Sequence, residues 1–206
     1  LLVFGIFFGV PVLWLFIAPT KEHKELLSLP SLAIGRLSNI ADSWERLVNY
    51  NRGIMFTWAK NSVWYVTLAL ALCMAVTIPA GYLLANVRFQ GRQVLLWATL
   101  ILMLLPGDAT VLPMYMELFI MRMINTQWAV ILPAGLAPAA VYLTYTYYRT
   151  VMPTDIIDAA KVDGCSDLAM FWHIGLPLAR SVIAMLLFTQ FSFLWNGFFA
   201  ASIFLE

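Results

Sequence analysis

Five long stretches without a single charged side chain decide the solvent in which this chain folds. They cover residues 1–20, 61–87, 93–107, 123–148 and 181–205. A helix of about 20 residues crosses a hydrocarbon core of about 30 Å, and four of the five stretches reach that length. The exception, 93–107, becomes long enough when read on through Asp108 to Pro113. With 62% hydrophobic and 11% charged residues among 206, and a mean hydropathy of +0.83, the chain lies outside the range of water-soluble domains. In hydrocarbon each backbone N–H and C=O must be paired inside the protein, which favours helices for segments of this length. The expectation is an all-α, polytopic membrane helical bundle with five spans.

The first stretch has no basic flank before it and no small-x-small cleavage site after it, so it reads as a span and not as a signal peptide. The chain begins without Met and ends as a fifth span finishes, and a sixth helix is expected beyond Glu206. Charge does not settle orientation. Lys21, Lys24, Arg36, Arg46, Arg52, Lys60 and Arg122 fall on one side, and Arg88, Arg92, Arg149, Lys161 and Arg180 on the other. A net charge of +1 advertises no nucleic-acid surface. Cys73 and Cys165 have neither disulfide nor metal-ligand spacing and read as free thiols.

Between the spans, residues 21–60 form a polar segment of mixed charge, with Trp44 and Leu47 at helical spacing. Two domains follow: 1–57, the first span with this outer segment, and 58–206, a transmembrane core. Arg88 to Arg92 is a tight turn between the second and third spans. Residues 115–125 read as a short interfacial helix ended by Asn125. Pro106, Pro113, Pro133 and Pro138 should kink the third and fourth spans.

The polar run 158–177, DAAKVDGCSDLAMFWHIGLP, is out of keeping with such a chain. Thr154 is a plausible N-cap, and Asp155 and Asp158 suit the positive end of a helix dipole. Gly164 should close that helix in a turn of positive φ. Ser166 and Asp167 then start a second short helix, on which Leu168, Phe171 and Trp172 share one apolar face until Gly175 and Pro177 stop it. Ala159 and Ala160 make the first helix slender enough to enter a groove. The alternative is a solvated loop that folds back on the membrane surface.

The spacing Asp158-Ala159-Ala160, Gly164, Ile174-x-Leu176-Pro177 resembles the EAA signature of binding-protein-dependent ABC importer permeases, with Asp158 where Glu is usual. Asn61-Ser62, the turn at 88–92, Leu105-Pro106, Leu112-Pro113, Tyr115 and Trp195-Asn196 are similar to the carbohydrate-uptake branch, near the second permease of the maltose and glycerol-phosphate systems. Gly197 stands where that branch has a polar residue. The resemblance implies the type I importer fold, in a bacterial inner membrane, with a cytoplasmic coupling loop at 149–180. Coupling residues would be Asp158, Ala159, Ala160, Asp163, Gly164, Ile174, Leu176 and Pro177; Gln190, Trp195 and Asn196 would line the solute pathway. The implied partners are a second permease, two ABC ATPase subunits and an extracytoplasmic solute-binding protein, which would meet residues 21–60. The implied solute is a carbohydrate, a monosaccharide derivative or glycerol phosphate.

The residues themselves carry no catalytic constellation. No GxxxxGK[ST] occurs, so ATP and Mg would belong to the partner ATPases and no cofactor is expected on this chain. Gly164-Cys165-Ser166-Asp167 lacks the second glycine of a nucleophile elbow, and His23 and His173 lie in different loops. His173 reads as a polar residue at a helix end. Asp108 is an ionisable group within a span, for which a structural role near the outer end competes with a transport role. Gly5-x-x-x-Gly9 suggests a helix-packing face. The rival function is a self-contained secondary transporter or channel, which should show an internal repeat and acids near the midplane. Neither is visible in the sequence.

Overall fold

The structure, a computed structural model, describes residues 2–205, except for the side chains of residues 2, 3 and 108. Asp108 therefore lies outside the described side chains. Every regular element among the described residues is helical. The chain divides into two compact units, Leu1–Asn61 and Ser62–Glu206; the boundary expected from sequence lay after residue 57.

In the first unit α1 (Leu2–Ile17) contains Pro11 and exposes a run of large apolar side chains, from Phe4 to Phe16. Next come α2 (His23–Ser28), which begins in a capping box of Glu22 and Glu25, and α3 (Ser38–Asn49). What holds this polar segment together is a knot at Thr20 and Lys21. Thr20 Oγ1 accepts the Gly35 N–H at 2.9 Å, and Asn39 Nδ2 donates to Thr20 O at 3.1 Å. Lys21, counted above as a surface charge, is turned inward at 4% exposure and donates to Pro30 O at 2.8 Å and Ser31 O at 3.0 Å. Two backbone carbonyls stand in for a counter-ion.

The second unit is built on the part of α4 (Ile54–Asn86) from Ser62 onward, α5 (Arg92–Leu104), α6 (Gly107–Ile120), α7 (Trp128–Ala134), α8 (Pro138–Val151), a loop region, α12 (Arg180–Trp195) and α13 (Phe199–Phe204). Among the described residues two helical runs, 38–86 and 128–151, are long and apolar enough to cross a membrane, up to four if each of two bent pairs counts as one span; the first unit's apolar helix is shorter. The five apolar stretches thus map onto helices, but the third is not a single rod. It bends by 114° between α5 and the helix that follows. Pro106 has an extended backbone, φ −65° and ψ 132°, which ends α5 and caps α6. The interfacial helix expected to start near Tyr115 accordingly starts at Gly107, and it ends at Ile120, ahead of Asn125. In the fourth stretch Pro133 and Pro138 flank the break between α7 and α8.

A core joins α4, α8 and α12 through Cys73, Ile78, Tyr82, Tyr148, Val182 and Leu186. Both cysteines are free thiols. A smaller cluster of Leu118, Ala129 and Phe204 links α6, α7 and α13, and there Asn125 N donates to Phe204 O at 2.9 Å. Two helices approach closely at Gly81 of α4: a Cβ there would lie 2.5 Å from Thr144 Cβ and 3.0 Å from the Thr144 carbonyl carbon on α8. Thr144 is fully buried and donates to Ala140 O at 2.8 Å, so it has no room to retreat. Gly81→Ala is expected to lower stability by about 1–3 kcal/mol through overpacking, read as a fall in thermal unfolding temperature in detergent.

Candidate coupling site

The polar run is an ordered structure on the end of α8. Met152 is buried, and the extended Pro153, not Thr154, occupies the cap of α9 (Thr154–Val162). The residue before a proline is steered away from helical backbone, so α8 ends with Met152 as its C-cap, Pro153 takes the next cap, and α9 starts one position earlier than a Thr154 cap would place it. Asp155 in the first turn and Lys161 in the last both complement the helix dipole.

The end of α9 is a Schellman turn. Cys165 N donates to Ala160 O at 2.9 Å and Gly164 N to Lys161 O at 3.0 Å, with Gly164 at φ +78°. Ala160 and Cys165 also meet in the core, giving the apolar contact that accompanies such a turn. Ser166 then caps α10 (Asp167–Met170), its side chain accepting from Ala169 N at 3.2 Å. The helix continues through one π turn, Phe171–Gly175, into α11 (Leu176–Leu178), and breaks only at Ala179 before α12. Pro177 therefore does not stop it. Pro177 stands in the first turn after the π segment, where a missing N–H does little harm. His173 Nδ1 donates to Ala169 O at 2.9 Å, as a helix residue.

The π turn also undoes the expected apolar face. Leu168 and Trp172 are exposed at 69% and 57%, whereas Phe171 is turned into the core at 7%. Phe171 meets Tyr82 of α4, ring centroids 5.0 Å apart, and Tyr82 meets Tyr148 of α8 edge-on at 5.3 Å. Tyr82 Oη donates to Asp167 O at 3.2 Å, and a Cβ on Gly175 would stand 3.0 Å from its ring. One buried tyrosine thus clamps the loop to two spans. Sequence reasoning missed it; the available signal was a phenol inside an apolar span, which must find a polar partner there.

The coupling candidates separate into two groups. Ala160 is buried, and Ile174 and Leu176 pack against the same core. Asp158, Ala159, Asp163, Gly164 and Pro177 are exposed. On α9 this leaves an outward face of Asp155, Ile156, Ala159 and Val162, the last 87% exposed. The pathway candidates are not brought together. At about 100° per residue, Gln190, Trp195 and Asn196 point in three directions. Trp195 stacks on Phe191 at 5.4 Å, and Asn196 Nδ2 donates back to Ser192 O at 2.8 Å.

Membrane-length helices that hold a capped, clamped helical loop at one end define an all-α, polytopic membrane fold. The chain belongs to the family described as binding-protein-dependent transport system inner membrane component, whose model matches residues 77–206. It is 34% identical over 146 residues to an arabinooligosaccharides transport system permease protein of Halalkalibacterium halodurans, a match covering 71% of this chain and 52% of that protein. It is 31% identical over 202 residues to a diacetylchitobiose uptake system permease protein of Streptomyces coelicolor, covering 96% and 65%. The chain spans between half and two thirds of the length of these relatives. Its fold is that of a bacterial ABC transporter involved in alginate import, with a TM-score of 0.88 at 17% identity over 99% of this chain and 71% of that one.

Tyr82→Phe removes one hydrogen bond and should cost about 0.5–1.5 kcal/mol. Tyr82→Ala empties the aromatic cluster and should cost about 3–5 kcal/mol. Proteolysis between residues 152 and 179 should be faster in the alanine variant and close to wild type in the phenylalanine variant.

Proposed function

We propose that this chain is the transmembrane permease subunit of an ATP-driven importer, forming with a second permease the path for a carbohydrate or sugar-related solute. The observation that carries this is the loop from α8 to α12. It is built of capped helices, fixed to α4 and α8 through Tyr82, and leaves the outward face of α9 exposed for a partner. Coupling ATP-driven motion to spans requires such an element, because a soft loop would absorb the displacement. In this reading the loop is cytoplasmic and α9 enters a cleft on an ABC ATPase. ATP and Mg act on that partner. Ala159 lets the backbone approach and Asp163 accepts hydrogen bonds from the cleft, while Asp158, on the flank of α9 turned toward Arg88, Arg92 and Arg149, steadies the helix from behind. Ala160, Ile174 and Leu176 serve the same coupling from the inside, holding the loop to the bundle. The carbohydrate class is supported by the relatives for arabinooligosaccharides and diacetylchitobiose. Of the pathway candidates, the half-exposed Trp195 offers the ring face that a sugar packs on, and Gln190 and Asn196 offer amides.

The outer unit fits a solute-binding protein. Its α3 exposes Trp44 and Leu47, with Leu37 before it and Tyr50 following, among Asp42, Glu45 and Arg46. Apolar anchors in a charged surround suit a wet, transient interface. Amide exchange in α3 should slow when the loaded binding protein is added to the assembled transporter; unchanged exchange would remove this part of the proposal.

Gly164 provides the main test. Nothing lies within 4 Å of a Cβ at that position, so a substitution meets backbone strain and no clash. Valine at positive φ costs more than the roughly 1–2 kcal/mol of an ordinary side chain, whereas asparagine adopts this backbone with little penalty. Gly164→Val should insert in the membrane yet lose at least about tenfold in uptake, the penalty of 1.4 kcal/mol per decade being exceeded. The ATPase should no longer copurify, or its hydrolysis should no longer respond to loaded binding protein. Gly164→Asn should retain most uptake. Normal transport by the valine variant with its ATPase bound would refute the coupling role.

A further inference from the structure

Behind α9, on the side away from its exposed face, lies a cavity of about 240 Å³. Its walls carry Arg88 and Arg92 from the turn between α4 and α5, Arg149 from the end of α8, and Asp158 and Lys161 from α9. Four cations face one carboxylate, a balance of three positive charges. Among the described residues no ion pair within 4.0 Å joins any of them. Arg92 is held in place, its Nε donating to Leu84 O at 2.8 Å and Nη2 to Ala85 O at 3.2 Å, so that it caps α4. Arg88, Arg149 and Lys161 have no such anchorage and are exposed, so water and Asp158 temper their mutual repulsion and an excess of positive charge is left to attract an anion from outside the chain.

Size and donor type narrow that anion. The cavity has the volume of about eight waters at ~30 Å³ each, below the roughly 300–1,000 Å³ of pockets for drug-sized ligands. An oligosaccharide does not fit, and a phosphate group does. Guanidinium forks bind phosphate oxygens in pairs, which makes a triple-arginine wall better matched to phosphate than to a lone carboxylate. The surroundings indicate where the phosphate comes from. Immediately beyond Arg92, α5 exposes Val94 at 70%, Leu95 at 53% and Trp97 at 58%, an apolar surface whose indole, five residues on from Arg92, is of the side-chain type enriched at headgroup boundaries. We propose that this cavity binds the phosphate of an anionic phospholipid whose acyl chains lie along α5. The proposal rests on the membrane reading of α4, α5 and α8, and does not require the coupling role of α9.

The test uses the assembled transporter, reconstituted in vesicles of phosphatidylcholine with or without phosphatidylglycerol, then extracted and examined by native mass spectrometry. The wild type should retain phosphatidylglycerol in preference to phosphatidylcholine. Arg88→Gln with Arg149→Gln should retain it about thirtyfold less tightly, each lost cation contributing roughly a factor of five near a charged membrane. Inorganic phosphate in excess should not displace the lipid. Equal retention by the double variant, or no preference in the wild type, overturns the site. Displacement by inorganic phosphate alone overturns the lipid as its occupant in favour of a soluble anion. Retention is read on the permease whether or not the ATPase stays bound, and Gly164→Val should leave it unchanged, so failure of this site and failure of the coupling role appear in different measurements.

Discussion

The crossing of α4 and α8 at Gly81 and Thr144 governs where the loop between α8 and α12 can lie. With no side chain at Gly81, the two backbones come close enough for the next residue, Tyr82, to reach Tyr148 on one side and Phe171 on the other. Its hydroxyl then pairs with the Asp167 carbonyl, and its ring fills the space that Gly175 leaves open. A larger residue at 81 would move the tyrosine and release the second half of the loop. In hydrocarbon, where association of helices gains little from water exclusion, such close packing of small residues is the main source of fixed geometry.

The two halves of the loop are held by different means. The second half is packed: its Phe171, Ile174 and Leu176 join the core of the spans. The first half is shaped chiefly by backbone hydrogen bonds, with Ala160 and Ile157 as its apolar attachments and the rest of α9 exposed. A partner that presses on α9 therefore acts on a short helix closed by a Schellman turn. The force passes through Cys165 and Ser166 into a segment clamped to α4. The division gives the loop a contact surface and an anchor in consecutive stretches of the chain.

Features set by local chemistry were legible in the sequence. Uncharged stretches became helices, Gly164 took the positive φ that ends a helix, and Ser166 became a cap, because each depends on a few neighbouring residues. Features that depend on distant contacts were not. The π turn at Phe171–Gly175 goes with the packing of Phe171 on Tyr82, eighty-odd positions away, and it parts Phe171 from Leu168 and Trp172. The bend at Pro106 was visible as a proline, but proline alone does not say whether a helix kinks or turns back. Lys21 read as surface charge because nothing in its neighbours announces that Pro30 and Ser31 will offer it carbonyls. The site followed the same rule: the exposed residues of α9 could be named from spacing, whereas Tyr82 and the arginines behind α9 come from other elements.

Open space around Gly164 has a consequence of its own. Glycine at a crowded position is kept for want of room, but here no atom stands within 4 Å of the missing Cβ. The restriction is one of handedness alone. A D-amino acid, whose preferred backbone is the mirror image of the ordinary one, would sit at φ +78° without backbone strain. The loop would accept D-alanine where it resists L-valine, and the joint between its two helices is, in stereochemical terms, an achiral residue occupying a position made for the opposite hand.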